Sequence, residues 1–239
     1  MKILLRQLIN KLHTFFLTFQ GEILMIKNIL AIVGVLAILL GGAAFIKFKP
    51  MMSMMVNDKM KPIMAVFMND FEGATVAASN LEEGAAETAA EMFKLWISSK
   101  GDIAETTVWV KKVEDDIELE DVITAINSVA TNKNIKGVGE LPLSKELEAR
   151  NIKSGVLHVM SFCNPETARK MVDFSASMAA YLPCRVSIVE REDGLWLYTL
   201  NMDMMIKMGR KMPPELKEET LKVRNAIWEM LENGATGEF

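Results

Sequence analysis

The sequence predicts an α+β protein: a small mixed β-sheet packed with helices, preceded by a single transmembrane helix and an alanine-rich helix. Three observations carry this prediction. A long uncharged apolar run lies near the N-terminus, an alanine- and glutamate-rich stretch follows it, and strand-like segments then alternate with amphipathic helical segments. We divide the chain into an N-terminal arm (1–24), an anchor (25–49), a methionine-rich connector with the alanine-rich helix (50–105) and an α+β domain (106–239).

The anchor contains the run ILAIVGVLAILLGGAAFI, residues 29–46, which has eighteen residues and no charge. That length reaches the lower limit for spanning a hydrocarbon core of about 30 Å. A water-exposed helix of this composition would have no polar face, so we predict a transmembrane helix. A cleaved signal peptide is the alternative. It is disfavoured because the apolar run continues through Phe45 and Ile46, beyond the small residues GGAA.

The arm gives the anchor a basic N-terminal side, with Lys2, Arg6 and Lys11. Single N-terminal anchors commonly leave their amino end in the cytoplasm. We therefore expect a single-pass protein of the bacterial inner (cell) membrane, with the lipid bilayer as a partner and the C-terminal domain in the periplasm. Apolar residues of the arm recur at helical spacing, which is typical of an amphipathic helix on the inner leaflet. The alternative is that translation starts at Met25.

Composition excludes two classes of protein. Beyond residue 49 the chain has 21 basic and 30 acidic residues, a net charge of −9. An acidic domain repels phosphate backbones, so nucleic acid is excluded as a partner. The two cysteines are too few for a small domain held together by disulfides.

The connector begins with MMSMMVNDKM, residues 51–60, which we interpret as adaptable apolar packing. Downstream, LEEGAAETAAEMFKLWISSKGD is expected to be helical to about Ser98 and to stop near Gly101. Its apolar residues are small up to Met92, so its first half would make weak contacts. We interpret it as a stalk or as a helix that docks on a neighbour, either a membrane-protein partner or a second copy of this chain.

The first half of the α+β domain contains two strands and two helices. TTVWVKKV is a predicted strand, and ELEDVITAINSVATNK places Val122, Ile126 and Val129 on one face of a helix. IKGVGELPL is a short strand. SKELEARN is a short helix with Ser144 as its expected N-cap.

The second half begins with GVLHVMSFC, a buried strand, and NPETARKMVDF, a helix with Asn164 as N-cap and Pro165 at its first position. CRVSIVEREDGLWLYTLN predicts two strands joined at Asp193-Gly194, a strong hairpin signal. PPELKEETLKVRNAIWEMLENG predicts a final helix closed by Gly234.

SFCNPETARKM followed by AAYLPCRVSIVE resembles a bacterial family known as domain of unknown function 302, over about residues 107–233. The resemblance depends on Cys163-Asn164-Pro165, on the Leu-Pro-Cys that ends at Cys184, and on the glycine-turn hairpin that runs into LNMDMMI. It implies a compact α/β-type domain capable of self-association. The family has no established activity, so the resemblance implies a fold and no mechanism.

Cys163 ends a predicted strand directly before a helix N-terminus, which is typical of a reactive thiol because the helix dipole favours a thiolate. The plainer interpretation is that Cys163 and Cys184 are small buried hydrophobic residues. A disulfide is a third alternative and needs Cα atoms within about 7 Å. Parallel strands would separate the two cysteines, whereas a return through SASMAAYLP would bring them to the same end, so the sequence leaves this open.

Histidine-based catalysis has little support in the sequence. His158 lies five residues before Cys163, and an odd offset in a strand places the two side chains on opposite faces. His13, the other histidine, lies in the arm. The sequence has no Ser/His/Asp set, glycine-rich phosphate loop or zinc-ligand spacing, so we assign no catalytic residue.

The hairpin turn brings a cysteine close to methionines. Pairing about Asp193-Gly194 sets Cys184 opposite residues 201–203, near the NMDMM segment. Thiolate and thioether sulfurs suit copper(I), and a methionine can also ligate haem iron. The candidate metal ligands are Cys163, Cys184, Met202, Met204 and Met205.

We therefore expect a membrane-anchored, non-catalytic binding or accessory module with an α+β domain outside the cytoplasm. The first alternative is a redox protein that handles copper(I) or haem through Cys184 and its neighbouring methionines. The second is a thiol-dependent enzyme centred on Cys163.

Overall fold

The computed structural model describes Asp58 and residues 61–239. The chain divides into two compact units, residues 1–74 and 75–239. The predicted arm (1–24) and anchor (25–49) lie outside the described residues. Within the described ranges, no helix is both long enough and apolar enough to cross a membrane.

The first unit is helical where it is described. Helix α1 spans Lys61–Asn69, and helix α2, Phe71–Ser79, begins in this unit and ends in the second. The Asp70 side chain accepts a hydrogen bond from the Gly73 amide at 2.9 Å, which satisfies one of the free N–H groups at the start of α2. Both helices belong to the connector that the sequence predicts.

The second unit contains seven helices, one 3₁₀ helix and five strands after α2, within the described residues. In chain order they are α3 Ala85–Ser98, α4 Ile103–Thr107, β1 Val108–Lys112, α5 Leu119–Asn132, β2 Lys136–Pro142, α6 Leu143–Ala149, β3 Leu157–Cys163, α7 Pro165–Phe174, the 3₁₀ helix Ala176–Tyr181, β4 Cys184–Arg191, β5 Gly194–Leu200, α8 Met202–Lys207 and α9 Pro214–Thr236.

The five strands form one sheet in the order β1-β5-β4-β3-β2, and every neighbouring pair is antiparallel. The α+β class is confirmed, whereas the prediction of a mixed sheet is wrong. The reason lies between β3 and β4, where the chain passes through α7 and the 3₁₀ helix and returns to the end of the sheet where β3 stops. Phe162 therefore pairs with Cys184, the first residue of β4.

The hydrophobic core lies between one face of this sheet and the pair of helices α5 and α9. The strands contribute alternate residues, such as Met160 and Phe162 from β3, and Val122 and Ile126 of the predicted apolar face of α5 are fully buried against them. Burial of one strand face and one helix stripe is the usual basis of a two-layer domain.

Helix α9 runs past Gly234, contrary to the predicted stop, and ends before Gly237, which adopts the left-handed conformation with φ of 70°. Gly234 is buried inside the helix, where a Cβ atom would lie 3.0 Å from both Ile126 Cγ1 and Leu197 Cδ1. This glycine therefore permits close packing of α9 on α5 and β5.

The predicted local signals are otherwise largely present. Helix α3 ends at Ser98, as expected, and Gly101 follows it with φ of 94°. The Asn164 side chain accepts a hydrogen bond from the Thr167 amide at 3.0 Å, which confirms the cap of α7. Helix α6 begins at Leu143, so the prediction of Ser144 as its N-cap is wrong.

The segment before α3 is tied to the loop between α8 and α9. Asn80 accepts a hydrogen bond from the Lys211 amide at 2.8 Å through its backbone oxygen. Glu82, which is buried, accepts from the Met212 amide at 2.8 Å and from Lys217 Nζ at 2.7 Å. Helix α3 in turn packs against α8. The alanine-rich helix thus forms part of the second unit.

Candidate functional site

Cys163 ends β3 and Cys184 begins β4, so the antiparallel pairing brings the two cysteines to the same end of the sheet. Both are free and half-buried. They line a cavity of about 50 Å³ that we call the sulfur pocket. Its sulfur-bearing residues are Cys163, Cys184, Met171, Met178, Met202 and Met205, and the rest of its lining includes Phe162, Asn164, Thr167, Tyr181, Leu182 and Thr220.

Three elements carry the methionines of the sulfur pocket. Met171 comes from the buried face of α7, and its Sδ atom lies 3.2 Å from Thr220 Oγ1 of α9, whose hydroxyl donates to the Leu216 carbonyl at 2.7 Å. Met178 comes from the 3₁₀ helix. Met202, only 4% exposed, and Met205 come from α8, where a spacing of three residues places both on one face.

Helix α8 is fixed at its start and on its outer side. The Asn201 side chain accepts a hydrogen bond from the Met204 amide at 3.2 Å and caps the helix. Asp203 accepts two hydrogen bonds from the Arg224 guanidinium, at 3.1 Å from Nε and 2.8 Å from Nη2. Asp203 therefore holds α8 from one side while Met202 and Met205 line the sulfur pocket on another.

Two tryptophans hold the Arg224 guanidinium. Its Cζ atom lies 4.8 Å from the ring centroid of Trp109 and 5.8 Å from that of Trp228, and the two indoles meet edge to face at 5.1 Å. Such cation–π contacts are favourable and restrict the orientation of the arginine. The position of α8 is thus linked to β1 and α9 through Arg224.

The charges around Asp203 agree with the geometry of the Asp203–Arg224 pair. Burial opposes ionisation of Asp203, but the hydrogen bonds and charges of Arg224 and Lys207 outweigh it and hold the pKa of Asp203 below its usual value. The carboxylate is therefore ionised at neutral pH.

Burial changes the pKa values of the two cysteines in the opposite direction. It raises the pKa of Cys184 to about 11, with a smaller contribution from the neighbouring Cys163. Burial also raises the pKa of Cys163. This direction is contrary to the thiolate expected from the helix N-terminus, because desolvation disfavours the charged form. Both thiols are protonated near neutral pH, which does not favour a thiol nucleophile.

Cys163 has no histidine partner among the described residues. His158 lies on the buried face of β3 and does not line the sulfur pocket. Its Nε2 atom is 2.8 Å from Glu140 Oε1, but the orientation of the two groups is not that of a hydrogen bond. The part of the chain that the structure describes also holds no cluster of three His, Cys, Asp or Glu side chains arranged for a metal ion.

The structure brings together four of the five predicted ligands: Cys163, Cys184, Met202 and Met205. Met204 does not line the sulfur pocket. The register explains why Cys184 lies near Met202, since Arg191 pairs with Gly194 and Val186 with Thr199, and this pairing continues towards Cys184 opposite Asn201.

Sequence reasoning missed two methionines of the sulfur pocket, Met171 and Met178. Both lie between the two cysteines, in α7 and the 3₁₀ helix. Met171 lies four residues after Thr167 and therefore on the same helix face. This spacing is the feature of the sequence that indicates a shared position for the two side chains.

The class of protein defined so far is an α+β domain with a five-stranded antiparallel sheet, one face covered by helices, and a sulfur-lined cavity at one end. The family model of a domain of unknown function, DUF302, matches residues 110–234. The chain belongs to this family, which confirms the resemblance seen in the sequence.

One solved structure that is similar to this chain is described as the crystal structure of an uncharacterized conserved protein DUF302 from Bacillus stearothermophilus. It is 13% identical to this chain, with a TM-score of 0.44, and the alignment covers 53% of this chain and 96% of that one. No curated protein matches the sequence.

Proposed function

We propose that this protein is a non-catalytic binding module that holds one copper(I) ion in the sulfur pocket. The observation that carries the proposal is the convergence of two thiols and four thioethers on one cavity. Thiolate and thioether sulfurs are the soft ligands that select copper(I). The other lining side chains are apolar or neutral, including Asn164, Thr167 and Thr220, so harder ions would find no carboxylate or imidazole there.

The charge balance of the sulfur pocket favours a monovalent ion. An unpaired charge in an apolar cavity is strongly disfavoured. One cysteine thiolate neutralises one copper(I) ion, and the neutral thioethers complete the coordination without adding charge. A zinc site of the usual kind would need four cysteine or histidine ligands, and only two cysteines line this cavity.

The size of the sulfur pocket favours an ion over haem. A cavity of about 50 Å³ accommodates a metal ion or a few water molecules. Pockets for ligands of drug size or larger typically measure roughly 300–1,000 Å³. We therefore propose copper(I), and not haem, as the ligand.

The setting that we propose for this module is the membrane surface. The apolar segment 29–46 supplies the anchor, and the domain would then lie outside the cytoplasm, at the bacterial inner membrane. Helix α3 supports an accessory role, because Phe93 and Ile97 are 51% and 60% exposed on it. We propose that this helix contacts a membrane-protein partner or a second copy of the chain.

The test is a copper(I) titration of the full chain in detergent, without oxygen, in competition with a chromophoric copper(I) chelator. We expect one ion per chain. The double variant Cys184→Ser with Met202→Leu should bind more than about a hundredfold more weakly, because two direct ligands are lost. Met204→Leu is the matched control, since Met204 lies on the same helix but outside the sulfur pocket.

Two results would contradict this function. The first is a reduced, folded protein that takes no copper(I) from the chelator. The second is equal weakening by Met204→Leu and by the double variant, since this would place the bound ion elsewhere.

A further inference from the structure

The two cysteines of the sulfur pocket lie close enough for a second kind of chemistry. Phe162 pairs directly with Cys184, and Cys163 is the next residue along β3. Strands lie about 4.8 Å apart and rise about 3.4 Å per residue, so a diagonal pair of this kind has Cα atoms about 6 Å apart. Disulfides form at Cα separations of roughly 4.4–6.8 Å. In a regular strand this odd offset would turn the two side chains to opposite faces, but Cys163 is the last residue of β3, and both cysteines line the sulfur pocket.

The sequence leaves no competing partner for either thiol within one chain, because Cys163 and Cys184 are its two cysteines. The cavity is also open to small molecules from one side. Tyr181 and Leu182, which line it, are 42% and 36% exposed. A small oxidant therefore has a route to the thiols.

We propose that Cys163 and Cys184 form a reversible disulfide, and that its formation releases the copper(I) ion, so that the site binds metal in the dithiol form alone. The release step rests on the proposed function, whereas formation of the covalent bond depends on the cysteine geometry alone.

The oxidant is a small disulfide such as oxidised glutathione. One cysteine, as its thiolate, attacks a sulfur of the oxidant and forms a mixed disulfide, while the first glutathione leaves as a thiolate and takes up the proton. The second cysteine then attacks the protein sulfur of the mixed disulfide. The S–S bond between Cys163 and Cys184 forms, the second glutathione leaves with the second proton, and two electrons have passed from the cysteines to the oxidant.

Loss of the metal follows from the ligand set that remains. After oxidation the sulfur pocket has no thiolate, and the neutral sulfurs of Met171, Met178, Met202 and Met205 cannot balance the charge of copper(I). A positive ion would then be buried without a counter-charge, which is strongly unfavourable.

The experiment uses the full chain in detergent, equilibrated without oxygen in glutathione buffers of increasing oxidised fraction. Maleimide labelling followed by mass spectrometry counts free thiols, and peptide mapping identifies the bond. Copper(I) affinity is then measured by chelator competition after the glutathione has been removed. Cys163→Ser is the control, because it keeps Cys184 but cannot form the disulfide.

We expect both thiols to disappear together, a Cys163–Cys184 bond within one chain, and copper(I) affinity more than about a hundredfold weaker in the oxidised form. Reduction by a phosphine should restore binding. In Cys163→Ser the reaction should stop at a mixed disulfide of Cys184 with glutathione, which mass spectrometry distinguishes from the Cys163–Cys184 bond by the added glutathione.

Persistence of both free thiols at high oxidised fraction would overturn the disulfide. A disulfide that leaves copper(I) affinity unchanged would overturn its role in release. A protein that forms the disulfide but binds no copper(I) when reduced would overturn the proposed function and the release step, while the disulfide itself would be established.

Discussion

Arg224 donates two hydrogen bonds to Asp203, at 3.1 and 2.8 Å, and so joins α9 to the helix that carries two methionines of the sulfur pocket. Arg224→Lys replaces the planar guanidinium, which donates two hydrogen bonds to Asp203, by a single ammonium group. We expect the free energy of unfolding to fall by about 1–3 kcal/mol, because the paired hydrogen bonds to a charged group are lost. Urea denaturation measures this change.

Copper(I) affinity should also fall in Arg224→Lys, because α8 loses its outer support. The matched control is Glu218→Gln on the same helix. It removes an exposed ion pair with Lys222 at 2.7 Å, and such pairs contribute little. Equal effects of the two substitutions on stability would contradict the importance of the Asp203–Arg224 pair.

The same pair predicts a specific dependence on acid. The pKa of Asp203 is lowered in the folded protein, so its contribution to stability is fully present above its unfolded pKa, about 3.9, and is lost as the pH falls from there through the lower folded pKa. Asp203→Asn should therefore be less stable than the natural protein at pH 7, and the difference should shrink at pH 3. Urea midpoints at the two pH values provide the measurement. An equal stability difference between the two proteins at pH 7 and pH 3 would show that the charge of Asp203 does not contribute to stability.

Cys184 should react slowly near neutral pH and much faster in alkaline solution. Burial raises its pKa to about 11, and alkylating agents react with the thiolate. In the Cys163→Ser variant burial remains and only the smaller contribution of Cys163 is lost, so the rate of iodoacetamide labelling should rise about tenfold per pH unit to a limit well above the ordinary cysteine value. The urea-unfolded variant should instead level off near the ordinary cysteine value of about 8.5. A plateau near that value in the folded protein would show that the thiol is not shielded.

Gly234 should not tolerate a larger side chain. A Cβ atom there would lie 3.0 Å from Ile126 and Leu197, and both residues are fully buried, so neither can move aside easily. Gly234→Val should lower the free energy of unfolding by about 1–3 kcal/mol or more through overpacking.

Gly139→Val is the control for the Gly234 substitution. Its Cβ atom would meet Ser161 at an ordinary 3.7 Å, and valine suits a strand. Thermal unfolding of the two variants gives the comparison. A stable Gly234→Val protein would contradict the close packing of α9.

Local chemistry made much of the fold predictable. Asn164 and Pro165 marked the start of α7 because each satisfies a requirement of the first helical turn. Asp193-Gly194 fixed the hairpin register, and this register alone indicated that Cys184 lies near Met202. These signals depend on neighbouring residues, so they are readable without the rest of the fold.

Features that depend on distant contacts were not predictable in the same way. The direction of β4 relative to β3 depends on how α7 and the 3₁₀ helix pack, which the composition of the segment does not specify. The same packing decides that Met171 and Met178 reach the sulfur pocket. Gly234 matched a helix stop in sequence, but its true role depends on Ile126, more than a hundred residues earlier.

The attachment of the segment before α3 has a mechanical consequence. Tension applied at the start of the second unit would act on the hydrogen bonds of Asn80 and Glu82. The hydrogen bonds of these residues lead to Lys211, Met212 and Lys217, next to α8 and on α9. A pull on this segment would therefore act on the loop beside α8, the helix whose residues Met202 and Met205 line the sulfur pocket.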